Sequence, residues 1–145
     1  MVMYRLQHCS VIDTVTIERR GDVGGFVSPI PVEERFVEWH SEVEVDVMTF
    51  LASLAGERMF YDGDHTQGVG GDMAAATTAI VTRSFLSHAM GPTLRAYNSG
   101  MLAQSGLMSP AVQALVDAVN FEGETARAVE AKLGELYDRT TSVLE

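Results

Sequence analysis

The sequence has a single cysteine, Cys9, so it can form neither an intrachain disulfide nor a cysteine-rich zinc site. It has no apolar run close to the ~20 residues of a membrane span, and Met1–Cys9 shows no signal-peptide pattern. Lysine and arginine total 10 against 20 acidic residues, which gives a net charge of −10. Nucleic acid is therefore excluded as an expected partner, since duplex binding requires basic side chains on phosphates. We expect a cytoplasmic protein with no membrane segment.

Several catalytic motifs are also missing. The four histidines, at positions 8, 40, 65 and 88, are too far apart for the H-E-x-x-H pair of a zinc peptidase helix. The chain contains no G-x-x-x-x-G-K-[ST] loop for ATP and no G-x-S-x-G turn for a serine nucleophile. We therefore assign no catalytic residue and no cofactor-binding motif within this sequence.

What is present predicts one domain over residues 1–145, because 46% of the residues are hydrophobic and only 21% are charged. The segment Val11–Ile17 is rich in β-branched residues and predicts a strand. A second strand at Gly24–Ser28 would complete a hairpin, with Pro29 and Pro31 ending it. The fold class expected is mainly α, with a short N-terminal β-hairpin and about four helices.

The helices are predicted from apolar spacing. Residues 42–47 alternate with the period of a strand, but the longer window from Phe36 to Leu54 has helical spacing. Because the whole segment is too long for a single strand, we predict a helix over Val37–Phe60. A serine cap followed by Pro110 begins a helix at 109–121, and a clean apolar stripe predicts another at 124–144. These two late helices are expected to pair as a hairpin.

The stretch from Thr66 to Gly91 contains the most informative pattern in the sequence. A glycine run leads to Asp72, and three alanines then favour a helix over Asp72–Met90. The plain interpretation of Asp72 is an N-cap that accepts hydrogen bonds from the first helical amides. We also expect Ala74 and Ala75 to pack closely against a neighbouring helix.

The pattern T-x-G-x-x-x-D followed by A-T resembles the FtsH-type ATP-dependent zinc metallopeptidases, which read T-T-G-A-S-N-D-L-x-x-A-T. A hairpin reading V-T-I-x-x-R-G and then G-F, and a late helix beginning E-T-A, are similar to the family too. Where the family has G-G-R-A-A-E-E, this chain has L-A-G-E-R-M-F. The matching positions in the glycine segment are Thr66, Gly68, Asp72, Ala76 and Thr77.

The resemblance implies a helical peptidase-type domain in which Asp72 is the third zinc ligand. In the family, H-E-x-x-H supplies two histidine ligands and a glutamate that serves as general base for the zinc-bound water. Counting back from Val15, the last of those histidines would fall about two positions before Met1. We therefore expect a domain truncated at both ends, without the family's ATPase module. Zinc would belong to the intact family domain, with none bound by this chain alone.

Three functional hypotheses follow. The first is the peptidase domain of an ATP-dependent zinc metalloendopeptidase, which acts in proteolysis and protein quality control on protein substrates. The second is a non-catalytic helical module that packs on FtsH-type subunits or on a second copy of itself. The third is an unrelated small helical domain in which Asp72 is only a cap. The first predicts that Asp72 points inward, toward the Met1–Leu6 end.

Overall fold

The computed structural model describes residues 1–6, 9–18, 25–34, 36–80 and 124–145. Helices dominate these ranges, which confirms the expected mainly α class with an N-terminal hairpin. The elements are α1 (Val2–Leu6), β1 (Ser10–Thr16), β2 (Phe26–Pro31), α2 (His40–Phe60), a 3₁₀ helix (Gln67–Val69), α3 (Gly70–Thr78) and α4 (Glu124–Leu144).

Strands β1 and β2 form the predicted antiparallel hairpin, with a bulge between Ile12 and Thr14. The prediction that the second strand ends at Ser28, before Pro29, is wrong, because β2 continues through Pro29 and has Pro31 as its last residue. The Val32 amide donates to the Cys9 carbonyl oxygen at 2.9 Å, and hydrogen-bonded pairs alternate with non-bonded ones from there. Both prolines therefore occupy positions whose nitrogen points away from β1, where no ladder bond is lost.

Helix α2 begins at His40, three residues later than predicted. The Glu42 carboxylate accepts a hydrogen bond from the Trp39 amide at 2.8 Å and so stabilises the first turn of the helix. At the other end, Asp62 has the left-handed φ of 52° and the Gly63 amide donates to the Arg58 carbonyl oxygen at 2.8 Å. This bond from the second residue beyond the cap is that of a Schellman motif, which reverses the chain toward α3.

The hydrophobic core forms where one face of α2 meets α1, α3 and α4. Its residues are almost completely inaccessible to water, and burial of each large side chain contributes about 1.5–3 kcal/mol. Partly buried side chains, among them Leu6, Met73 and Leu133, extend it. The buried members are Val2, Val47, Met48, Leu51, Ala76, Ala79, Ile80, Val129 and Leu136.

A charge network joins α2 to α4 beside this core. The Glu44 carboxylate, whose side chain is 13% exposed, lies 2.6 Å from Lys132 Nζ and 2.8 Å from Arg139 Nη1. Partial burial alone would raise the pKa of Glu44, but the hydrogen bonds from Lys132 and Arg139 outweigh burial and hold that pKa below its ordinary value. The network therefore favours the ionised carboxylate and fixes how α4 lies on α2.

Helix α3 begins at Gly70, directly after the 3₁₀ helix and two residues before the predicted start. Ala76 is completely buried, Ala75 is half-buried and Ala74 is exposed. The expectation of close packing is therefore wrong for Ala74. In this helix Ala76 is the alanine that faces α2.

The helix predicted at 124–144 is confirmed as α4. The helix predicted at 109–121, its pairing with α4, and the end of the helix predicted over Asp72–Met90 lie outside the described residues. Within the ranges that the structure describes, no helix is long and apolar enough to cross a membrane.

The register of α3 can be tested with two matched substitutions. Ala76→Leu should lower the free energy of unfolding by about 1–3 kcal/mol, because the larger side chain overpacks a closed site. Ala74→Leu should change it by less than about 0.5 kcal/mol, because leucine is nearly as good a helix former as alanine and this position is exposed. Urea unfolding measures both, and equal effects would contradict the register.

The charge network predicts a pH-dependent contribution to stability. A carboxylate whose pKa is lower in the folded state stabilises above its unfolded pKa, and the contribution disappears as the pH falls through the folded value. Glu44→Gln should therefore cost about 1–2 kcal/mol at neutral pH and progressively less as the solution is acidified below the ordinary glutamate pKa.

The control for this pH series is Glu130→Gln, which removes the same charge from an exposed position on α4. Urea unfolding of the two variants and the parent protein, repeated at each pH, gives the comparison. A Glu44→Gln penalty that stayed constant with pH, or that Glu130→Gln shared, would show that the network adds no stability of its own.

Candidate functional site

Asp72 lies in the first turn of α3 and is half-buried. The N-cap position of this helix is occupied by Val69, so Asp72 is not the N-cap residue. The 3₁₀ helix runs straight into α3, and the Gly70 amide already donates to the Gln67 carbonyl oxygen. In the part of the chain that the structure describes, the Asp72 carboxylate makes no hydrogen bond or ion pair. Its position is therefore not explained by capping.

Asp72 lines a cavity among the described residues that has a volume of about 750 Å³. Met3 of α1 lines the same cavity as Asp72. The wall is completed by both strands and by α2. The lining residues are Met3, Val15, Thr16, Ile17, Gly25, Phe26, Val27, Pro29, Asp46, Thr49, Phe50 and Asp72.

A close backbone approach shapes the hairpin wall of the cavity. A Cβ atom on Gly25 would lie 2.8 Å from the Thr16 carbonyl oxygen, which no real side chain tolerates. Glycine is therefore required where β2 begins, and it lets the two strands come together beside the cavity. The resemblance had singled out Gly25 from sequence, and the structure supplies the physical reason for it.

A second carboxylate, Asp46, reaches the cavity from α2 together with Thr49 and Phe50. Sequence analysis did not single out Asp46 as a site residue. Its signal was present, since positions i, i+3 and i+4 share one face of a helix. Asp46 and Thr49 lie away from the α2 face formed by Val47, Met48 and Leu51, which enters the core, and Phe50 lies at the boundary and also packs against that core.

The described histidines do not reach this cavity. His40 Nε2 lies 3.6 Å from Glu44 Oε1 at the start of α2, and His65 lies on the exposed loop that follows α2. His8 and His88 fall outside the described residues. Over residues 1–6, 9–18, 25–34, 36–80 and 124–145, no three potential ligands come together as a metal site. Asp72 fits one carboxylate position, but the described residues do not form a three-ligand catalytic zinc site.

The loop before α3 is held by two further residues that sequence analysis did not assign to the site. Glu57 Oε2 accepts a hydrogen bond from the Thr66 amide at 2.6 Å, and Glu57 Oε1 accepts one from the Thr66 hydroxyl at 3.1 Å. Thr66 belongs to the motif that resembles the FtsH family, whereas Glu57 lies in the stretch L-A-G-E-R-M-F that departs from it.

Comparison with known proteins gives a consistent result. No family model matches the chain. The ATP-dependent zinc metalloprotease FtsH 2 of Symbiobacterium thermophilum is 31% identical over 129 residues, which are 88% of this chain and 20% of that protein. FtsH 1 of Thermomicrobium roseum is 30% identical over 95 residues, 63% of this chain and 14% of that protein. FtsH of Veillonella parvula is 32% identical over 95 residues, with similar coverage.

The chain thus spans a fifth or less of the length of the curated relatives it matches, while most of its own length is matched. These relatives carry one name, and the resemblance of the glycine segment, the hairpin and the late helix pointed to the same group. The chain is therefore related to the FtsH-type ATP-dependent zinc metalloproteases.

Proposed function

We propose that this chain forms an FtsH-type peptidase-like domain that serves in the proteolysis of protein substrates, with Asp72 as a carboxylate ligand for zinc. The observation that carries the proposal is the position of Asp72. It is half-buried in the first turn of α3, lines the cavity shared with α1 and the hairpin, and is not the N-cap residue. A cavity of about 750 Å³ is large enough for several side chains of a peptide.

The anchoring of helix α1 beside the cavity supports this proposal. The Arg5 guanidinium donates to the Val143 carbonyl oxygen at 2.5 Å, across the fold in the last turn of α4. A cation at a helix C-terminus is favourable because the last carbonyl groups carry partial negative charge. Val2 is buried in the core, so α1 is anchored at two points while Met3 lines the cavity.

The chain contains no H-E-x-x-H, so Asp72 would supply only one of the three protein ligands that catalytic zinc requires. We therefore infer that the histidine pair and the general base come from an H-E-x-x-H helix that reaches this cavity beside α1. Without them we expect the chain by itself to be inactive. A cytoplasmic location agrees with the single cysteine.

A second candidate function, a non-catalytic module that packs on FtsH-type subunits or on its own copy, is favoured by exposed apolar side chains. Ile17 is 91% exposed and Phe36 is 99% exposed, and Val11 and Val15 of β1 are also largely accessible. Exposed apolar surface of this kind favours association. Size-exclusion chromatography of the chain tests this candidate, because a strictly monomeric protein at high concentration would argue against self-association.

The proposed function predicts the behaviour of two proteins. The chain as given should not hydrolyse casein, with or without added zinc. A fusion protein in which a helix carrying H-E-x-x-H is joined directly ahead of Met1, called here the H-E-x-x-H fusion, should bind one zinc per chain. Asp72→Ala in this fusion should weaken zinc binding by more than the roughly 10–100-fold typical of outer-shell changes, and should abolish cleavage.

The matched control is Asp138→Ala, which removes an exposed aspartate from α4 and should leave zinc content and cleavage unchanged. Zinc content is measured by atomic emission and activity by casein hydrolysis with and without chelator. Chelator-sensitive cleavage by the chain as given would contradict the proposal, as would an Asp72→Ala fusion protein that retained full zinc affinity.

A further inference from the structure

The segment that connects α2 to α3 has little packing to hold it. From Tyr61 to Gly68 every residue is exposed, and Val69 is the first to be buried. Such exposed segments open easily unless specific hydrogen bonds tie them down. The start of α3, and with it the position of Asp72, therefore depends on the polar contacts of this connection.

Those contacts form a chain that begins on α2. The Glu57 carboxylate in the last turns of α2 accepts from both the Thr66 amide, at 2.6 Å, and the Thr66 hydroxyl, at 3.1 Å. The same hydroxyl accepts from the Gly68 amide at 3.2 Å and so caps the 3₁₀ helix. Hydrogen bonds that involve a charged carboxylate are roughly twice as strong as neutral ones.

The chain of contacts leads into the start of α3. The Gly70 amide donates to the Gln67 carbonyl oxygen, and α3 starts at Gly70 with Asp72 in its first turn. Val69 provides no side-chain cap and the Asp72 carboxylate makes no hydrogen bond in the described ranges, so Thr66 is the nearest residue whose side chain holds this helix start through hydrogen bonds.

We propose that Glu57 and Thr66 form a clamp that fixes the start of α3 and thereby positions the Asp72 carboxylate in the cavity. Both are positioning residues, since neither lines the cavity. The clamp itself rests on the hydrogen bonds above. Its consequence for zinc rests on the proposed function of Asp72, and the two are tested separately.

The clamp is tested on the chain as given by amide hydrogen exchange. Thr66→Val removes the hydroxyl, so the Gly68 and Gly70 amides should exchange about tenfold faster, while Thr66→Ser, which keeps the hydroxyl, should leave them near the parent rates. Thr14→Val, at an exposed threonine of β1, is the matched control and should change neither amide. Unchanged Gly68 and Gly70 exchange in Thr66→Val would overturn the clamp.

A double-mutant cycle tests whether Glu57 and Thr66 act together. Glu57→Ala should accelerate exchange of the same amides, and adding Thr66→Val to it should produce little further acceleration, because the first change already breaks the shared contact. Accelerations that multiply in the double variant would mean that the two residues act independently, and the clamp would be rejected.

The positioning role is tested by zinc affinity in the H-E-x-x-H fusion. Thr66→Val should weaken zinc binding by about 10–100-fold, and Thr66→Ser should restore it to within a fewfold, with melting temperatures of the two variants alike. Equal zinc affinities of Thr66→Val and Thr66→Ser, in a fusion whose Asp72→Ala variant does lose zinc, would overturn positioning while leaving the proposed function intact. Full zinc affinity of the Asp72→Ala variant would instead reject the proposed function, and amide exchange would still decide the clamp.

Discussion

Burial of one face of α2 is the constraint on which the other described elements depend. Val47, Met48 and Leu51 are almost completely removed from water, and α1, α3 and α4 reach the core by packing on that face. A 21-residue helix can receive three partners only because it is long enough to offer a separate stretch to each. Each short partner, α1 in particular, would be marginal as an isolated helix.

The opposite face of the same helix forms the floor of the cavity. With about 100° between successive residues, Asp46 and Thr49 lie on the side away from Val47 and Leu51, whereas Phe50 lies between the two sides and also packs against the core. Core packing therefore also fixes the cavity, because any rotation of α2 that moved Asp46 would take buried side chains out of the core. The Glu44 network adds a directional contact that prevents α4 from sliding along this helix.

How much the sequence could predict differs from element to element. The helices α2 and α4 were predicted because apolar spacing over a long window indicates a buried face, and the hairpin was predicted from its β-branched residues. Residues 42–47 alternate like a strand but form part of α2. The helix prevails because it also buries the apolar side chains on either side of this short segment, which a strand would leave exposed. The role of Pro29 and Pro31 in β2 could not be predicted, because it depends on which side of the pairing each nitrogen faces.

In the candidate site, too, some residues could be predicted from sequence and others could not. The motif from Thr66 to Thr77 identified Asp72, and the resemblance of the chain to the FtsH family agrees with the curated relatives. Asp46 and Glu57 were missed because neither belongs to a recognisable motif: helical spacing places Asp46 on a face with Thr49 and Phe50 but does not show that a cavity lies there, and only the fold brings Glu57 to Thr66. Ala74 was misassigned because a run of three alanines does not show which of them faces the neighbouring helix, and the structure buries Ala76.

The central claim is that Asp72 occupies a metal-ligand position beside α1. A crystal structure of the H-E-x-x-H fusion with zinc, located by its anomalous scattering, tests this most directly. The account predicts an Asp72 carboxylate oxygen within about 2.0–2.2 Å of the zinc ion. Zinc held in the cavity by other side chains, with the Asp72 carboxylate turned away from it, would contradict the account.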